Sequence, residues 1–182
     1  MANVKSIYLA SKNLPARPKW SRPDRETTYT WFDAPIDIEG VTQTGLFLHG
    51  GAYAQHPDVH VTLELKVRTD AGRWLPLERA DWRSLNGGHS NPRSGRAPWA
   101  GKLAGRRLSD SHLHEFSLNW SEAEQRMRTP HLKIAREFEA PLDDFEALRD
   151  YFGERTRIEN IEIVPEPPWV RDLFTGIGQW AN

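Results

Sequence analysis

Three of the seven histidines in this chain sit in settings that invite chemistry. His112 and His114 are separated by one residue, so on a strand both imidazoles stand on one face, about 7 Å apart. Neutral imidazole ligates transition metals and titrates close to neutral pH, so such a pair can share a metal ion or pass a proton. His89 lies in Gly87-Gly88-His89-Ser90-Asn91-Pro92, where the glycines permit unusual backbone angles and close approach of a ligand. His89 or Asp81 would complete a three-ligand site with an open position for water. His89, His112 and His114 are therefore the candidate catalytic residues, and His112, His114 and Asp81 the candidate ligands of a divalent transition metal. The structural alternative is a pair of hydrogen-bonded histidines at the edge of a core, because Phe116 and Leu118 continue the same face.

Cations surround these histidines. From Trp82 to Ser109 the chain carries Arg83, Arg93, Arg96, Lys102, Arg106 and Arg107 and no acid. Arg93, Arg96, Arg106 and Arg107 suit phosphate contact, with Asn91 and Trp99 as further substrate contacts and Trp82 and Trp99 as surfaces for base stacking. A disordered solubilising insertion would have a similar composition. The formal net charge of -1 conceals this segregation, since Glu137 to Asp172 is strongly acidic and the first 25 residues are basic. Such blocks either neutralise one another within the fold or meet charged partners.

The order Arg79-x-Asp81, then Gly88-His89-x-Asn91-Pro92-x-x-Gly95, then His112-x-His114-x-Phe116 resembles a small uncharacterised family of phage and mobile-element proteins. The family pattern is R-x-D, G-x-x-H-x-N-P-x-G and H-x-H-x-aromatic. The resemblance covers roughly residues 60 to 150, and the loop here is longer by a run of basic residues. It implies that Asp81, His89, Asn91, His112 and His114 belong to one constellation, and it brings no activity with it.

Several chemistries are excluded or disfavoured. The chain has no cysteine, which removes disulfides, thiolate metal sites and a cysteine nucleophile, and fits a reducing compartment. There is no G-x-S-x-G elbow and no phosphate-binding glycine pattern of the Walker or dinucleotide kind, so acyl transfer and a nucleotide cofactor are disfavoured. Glu64-x-Lys66 has the spacing of restriction-type nucleases, with Asp58 and Glu39 as the acids available to complete it, but a solvated strand face gives the same residues. No stretch reaches the roughly 20 apolar residues of a membrane helix, and no signal-peptide run opens the chain, so the expectation is a cytoplasmic protein with no membrane partner.

The elements that must position these residues are mostly strands. Val59, Val61, Leu63, Leu65 and Val67 alternate with polar residues, which predicts a half-buried strand from Asp58 to Arg68. A turn at Thr69 to Gly72 makes Asp58 to Arg79 a hairpin, and Pro76 marks its second arm as an edge. Earlier strands are expected at Thr27 to Phe32 and Gly45 to His49, the latter closed by Gly50-Gly51. Later strands are expected over His112 to Leu118, Leu132 to Phe138 and Ile158 to Ile163, and a further short one at Ser6 to Ala10. Ser121 to Arg128 has capping-box spacing for a helical turn. Asp143 or Asp144 caps a helix reaching about Phe152, with Gly153 as its stop. Ser84 to Ser109 reads as a long, mobile loop.

The expected class is α+β: a mainly antiparallel sheet of about six to eight strands, with one or two short helices toward the C-terminus. One domain of 182 residues is expected, with a basic arm at 1–25 and a proline- and tryptophan-containing tail at 165–182. Two functions fit. The first is a nucleic-acid-directed protein of a phage or mobile element, acting as a histidine-dependent phosphodiesterase through a metal or through acid/base catalysis. The second is a non-catalytic inhibitor or antitoxin-like partner of another protein, anchored by Trp169, Phe174 and Trp180.

Overall fold

The computed structural model describes residues 4–171. Its centre is a six-stranded antiparallel sheet in the order β1-β2-β3-β4-β5-β8, formed by Tyr29–Ile38, Val41–Tyr53, Val61–Arg68, Trp74–Trp82, His112–His114 and Arg136–Glu137. A two-stranded hairpin, β6 (Trp120–Ser121) and β7 (Arg126–Met127), stands beside it. The helices are α1 (Val4–Leu9), α2 (Phe116–Asn119) and α3 (Phe145–Thr156). The mainly antiparallel α+β class is thus the one expected, with a helix near the N-terminus in addition. Among the described residues, no helix is long and apolar enough to cross a membrane.

Alternation decides the two faces of the sheet. Val61, Leu63 and Leu65 are 1%, 0% and 0% exposed, and they share their face with Phe32, Ala34, Leu46, Leu48, Leu77, Ala80 and Leu113. Phe145, Leu148 and Phe152 of α3 close this core. The opposite face carries Asp33, His49, Glu64, Arg79 and His114, each directly across from the next. The row beside it holds Gly51, Thr62, Asp81, His112 and Glu137 in the same way.

Long-range contacts override several local readings. Ser6 to Ala10 is not a strand but the end of α1 and the residue after it, because Tyr8 stacks on Phe116 at 4.2 Å and donates to Glu78 at 2.9 Å. The basic N-terminal segment is packed rather than free. Lys12 is fully buried, and its Nζ donates to the carbonyls of Tyr8, Ala10 and Thr156 at 2.7, 2.7 and 3.0 Å. Ser21 and Asp24 donate backbone N–H groups to Trp31 and Tyr29, covering part of the free edge of β1.

Gly50-Gly51 does not end β2. It lies inside the strand, where a Cβ on Gly50 would meet the Phe32 ring at 2.2 Å. Pro76 falls within β4 beside a register shift, on the stretch that pairs with β3 but not with β5, so only half of that arm behaves as an edge. His112 to Leu118 is a strand only as far as His114, after which α2 begins. Ser121 to Arg128 is the β6–β7 hairpin rather than a helical turn, although Glu124 N–H still reaches Ser121 Oγ at 3.3 Å. Ile161–Ile163 forms a 3-10 turn instead of a strand.

The α3 helix starts as expected, with Asp144 accepting from Ala147 N–H at 2.8 Å, but runs to Thr156 and stops at Arg157 in the left-handed conformation, φ 57. Gly153 lies inside it rather than ending it, at a position where a Cβ would strike Ile161 at 2.3 Å. Of the proposed tail anchors, Trp169 packs on Phe145 at 6.0 Å, while Phe174 and Trp180 lie outside the described residues.

Candidate functional site: a histidine cluster on the outer sheet face

His112 and His114 reach the outer face because Leu113 between them fills the core. Antiparallel pairing sets Arg79 opposite His114 and Asp81 opposite His112, so the R-x-D and H-x-H segments project four side chains into one patch. The third imidazole arrives from the long loop. Gly88 passes so close to the returning chain that a Cβ would lie 1.8 Å from the Leu108 carbonyl oxygen, and Leu108 N–H donates to His89 O at 2.8 Å. The close approach that this glycine permits is therefore to the protein's own backbone.

Ser84 to Ser109 is organised by local contacts. Ser90 bridges Arg107, Asn91 N–H donates to Arg106 O, and Pro98–Leu103 forms 3-10 turns broken at Gly101, φ 54. Ala97 and Ala100 pack on Ile134 to form a second, smaller apolar cluster.

The three rings converge. Centroids are 4.6 Å apart for His89 and His112, 5.1 Å for His89 and His114, and 5.1 Å for His112 and His114. One nitrogen from each lies within 4.8 Å of the other two. Three nitrogens about 2.1 Å from one tetrahedral ion stand about 3.4 Å apart, so the rings must close by roughly 1 Å or a little more to share an ion. His112 and His114 are buried, while His89 is half-buried.

Burial and nearby cations favour the neutral form of His114 and His89 beside one anion. Burial pushes His114 down to about 4, with Asp81 opposing the shift and Arg79 adding to it. Burial likewise lowers His89, reinforced by His112 and Arg79, with Arg107 contributing from the loop. Burial alone would raise Asp81, but the His112 and His114 imidazoles and the Arg79 guanidinium against its carboxylate hold it well below the usual range. Asp81 Oδ2 is 3.4 Å from His112 Nε2 and 3.5 Å from His114 Nε2. It also accepts from Arg79 Nε at 2.9 Å and Nη2 at 2.8 Å, while Oδ1 accepts from Thr62 Oγ1 at 2.9 Å. His112 Nδ1 faces the Ser109 carbonyl at 3.0 Å, and Ser109 is itself held by Glu137 through its N–H at 2.8 Å and its hydroxyl at 2.5 Å.

The remaining sequence candidates divide. Arg93, Arg96, Arg106 and Arg107 are exposed and form no ion pair among the described residues. Arg93 and Arg96 line a cleft of about 830 Å³ with Ser90, Asn91, Pro92, Gly95 and Lys133. Asn91 is not free for a substrate, since its amide bonds to Leu103 and Ala135. Neither tryptophan offers a stacking face. Trp82 is 1% exposed with Arg83 over its ring, and Trp99 packs in the small apolar cluster under Arg128.

The nuclease constellation around Glu64 and Lys66 does not form with the acids expected for it. Asp58 pairs with Arg171 at 2.9 Å and Glu39 sits in the β1–β2 turn, while Lys66 pairs with Asp33 at 2.7 Å. The site also contains residues whose spacing gave no sign of a role, Thr62, Ser109 and Glu137, because their partners are remote in sequence. The unbroken polar alternation on β3 did mark Thr62 as outward-facing.

Comparison with protein-family models, curated proteins and solved structures returns no match for this chain.

Proposed function

We propose that this protein is a histidine-dependent phosphodiesterase that acts on nucleic acid. The observation that carries the reading is the convergence of His89, His112 and His114 beside a run of arginines that no carboxylate neutralises. Arg93, Arg96, Arg106 and Arg107 are exposed on one loop without a carboxylate partner among the described residues, and a cluster of like charges attracts an anion. Phosphate is the anion that arginine meets best, through two parallel N–H donors.

In this reading Arg93 and Arg96, with Lys133, hold backbone phosphates flanking the scissile one, and Arg107, bridged to Ser90 beside His89, faces the reacting phosphoryl oxygens. His114 is neutral at pH 7, so it offers a lone pair rather than a proton. A neutral imidazole of this kind serves either as the base that takes a proton from the attacking water or as a ligand of a metal ion that activates it. His89 is the most accessible of the three and is the imidazole open to a substrate from solvent. Asp81, held by Arg79 and Thr62, fixes the field around the pair.

Incubation of labelled single- and double-stranded oligonucleotides with the purified protein tests the reading. Cleavage that falls by at least about 100-fold in His89→Ala and in His114→Ala is expected, the usual range for a lost acid or base. Tight binding to a host protein with no cleavage of any nucleic acid would replace it with the interaction-partner reading.

A further inference from the structure

We propose that His89, His112 and His114 form a three-nitrogen site for a divalent transition-metal ion, with Asp81 outside the coordination sphere as the group that orients His114. The inference goes beyond the reaction assigned above and rests on which ring nitrogens have partners.

His112 is settled by its neighbours. Its Nδ1 faces the Ser109 carbonyl at 3.0 Å, a contact that requires the proton on Nδ1 and leaves the lone pair on Nε2. His114 and His89 each have a buried Nδ1 with no hydrogen-bond partner among the described residues. Buried imidazole nitrogens without partners are costly whether they carry a proton or a lone pair, because the water they lose is not replaced. A metal ion satisfies lone pairs at all three positions at once. The alternative tautomer of His114, with Nε2 accepting from Arg79 Nη2 at 3.1 Å, puts an N–H on Nδ1 and leaves that donor buried without an acceptor.

Asp81 is already engaged. Its oxygens take Arg79 Nε, Arg79 Nη2 and Thr62 Oγ1, and Oδ2 lies 3.4 Å from His112 Nε2 and 3.5 Å from His114 Nε2. That is the arrangement of carboxylate, histidine and metal in which the carboxylate fixes ring orientation and makes the ligating nitrogen more basic. Ser109, itself held by Glu137, does the same for His112. A set of imidazoles without carboxylate or thiolate suits zinc, nickel, cobalt or copper rather than magnesium or calcium. Three protein ligands leave a coordination position open, and half-buried His89 places it toward solvent.

The test is titration of chelator-treated full-length protein with Co²⁺, followed by its visible ligand-field bands, and with Zn²⁺ by calorimetry. One ion per chain is expected, with no comparable uptake of Mg²⁺. Asp81→Asn keeps that stoichiometry and weakens affinity about 10- to 100-fold, the usual effect of removing an orienting partner. His89→Ala, on a loop and therefore safe for the fold, loses the four-coordinate Co²⁺ spectrum. Absence of stoichiometric Co²⁺ and Zn²⁺ binding overturns the proposal, as does Asp81→Asn abolishing uptake outright, which would make the carboxylate a ligand. Stoichiometric metal uptake by a protein that cleaves nucleic acid equally well after chelation upholds the site and leaves the phosphodiesterase reaction metal-independent. Stoichiometric metal on a protein that cleaves nothing upholds the site and removes the reaction.

Discussion

Asn91 and Asn119 make the same pair of backbone hydrogen bonds to two consecutive residues. Asn119 gives its amide N–H to Ile134 O at 2.8 Å and accepts from Ile134 N–H at 3.0 Å, while Asn91 does likewise with Ala135 at 2.8 and 2.9 Å. Neighbouring residues of an extended chain turn their N–H and C=O groups to opposite sides, so the two side chains stand in for a strand on each flank. This is why Leu132 to Phe138, read as one strand, enters the ladder only at Arg136–Glu137.

It follows that Asn91 is structural. Asn91→Ala leaves the Ala135 N–H and C=O buried and unpaired, at about 1–3 kcal/mol for each group left unsatisfied. Urea denaturation should show a loss of about 2–4 kcal/mol, within the range of a broken buried network. A variant of unchanged stability but weakened substrate affinity would return Asn91 to the binding surface.

Stability of the metal-free protein should fall on mild acidification. His114 has its pKa lowered to about 4 in the fold, against 6.5 in a model histidine. Between those values the unfolded chain binds a proton that the native state refuses, so the stabilisation is whole above pH 6.5 and disappears as the pH drops toward 4. A shift of this size corresponds to roughly 3 kcal/mol. Asp81, depressed as well, extends the loss to still lower pH. Denaturation midpoints at pH 7.5, 5.5 and 4.5 measure the slope, and a flat profile across that window would show that His114 charges freely.

Charge reversal in the basic cleft should act on binding and spare the fold. Arg93 and Arg96 are exposed and form no ion pair among the described residues, so Arg93→Glu with Arg96→Glu is expected to change stability by less than about 0.5 kcal/mol. Nucleic-acid affinity should weaken uniformly across sequences, and the slope of log affinity against log salt should lose about two units, one per phosphate contact. Fluorescence anisotropy over a salt series reads both. An unchanged slope places the polyanion elsewhere.

Gly88→Ala should displace His89. The added methyl would lie 1.8 Å from the Leu108 carbonyl oxygen and 2.4 Å from that of Ser109, both backbone atoms that cannot swing aside. The loop must then open, which also disturbs the Ser109 carbonyl behind His112. We expect cleavage and metal affinity to fall by at least about tenfold, with the sheet core and its cooperative unfolding little changed, since misplacement of about 1 Å at a reacting centre has effects of this order. Native activity in Gly88→Ala would mean that His89 does not need this position.

The sequence by itself determined what depends on a residue and its near neighbours. Strict alternation assigned β3, its buried face and, by exclusion, the outward direction of Thr62 and Glu64, although the strand begins at Val61 rather than Asp58 because Asp58 and His60 take positive φ. Spacing of two placed His112 with His114, because strand geometry leaves no other choice, whereas Asp81 joined Arg79 on one face only because β4 runs on to Trp82. Asp144 and the apolar stripe of α3 announced that helix. Which strand lies beside which, and in what register, was decided only by the tertiary structure. Opposing Arg79 to His114 rather than to a residue one place away depends on how the loop from Ser84 to Ser109 closes, and on Leu113 and Ala80 both entering the core. The same holds for His89, brought in by a Gly88–Leu108 contact across 20 residues, and for Tyr8, whose helix is chosen by Phe116 and Glu78. Local periodicity records the face a side chain must take, but a polar group's partner is fixed by chain packing, and spacing carries no trace of it.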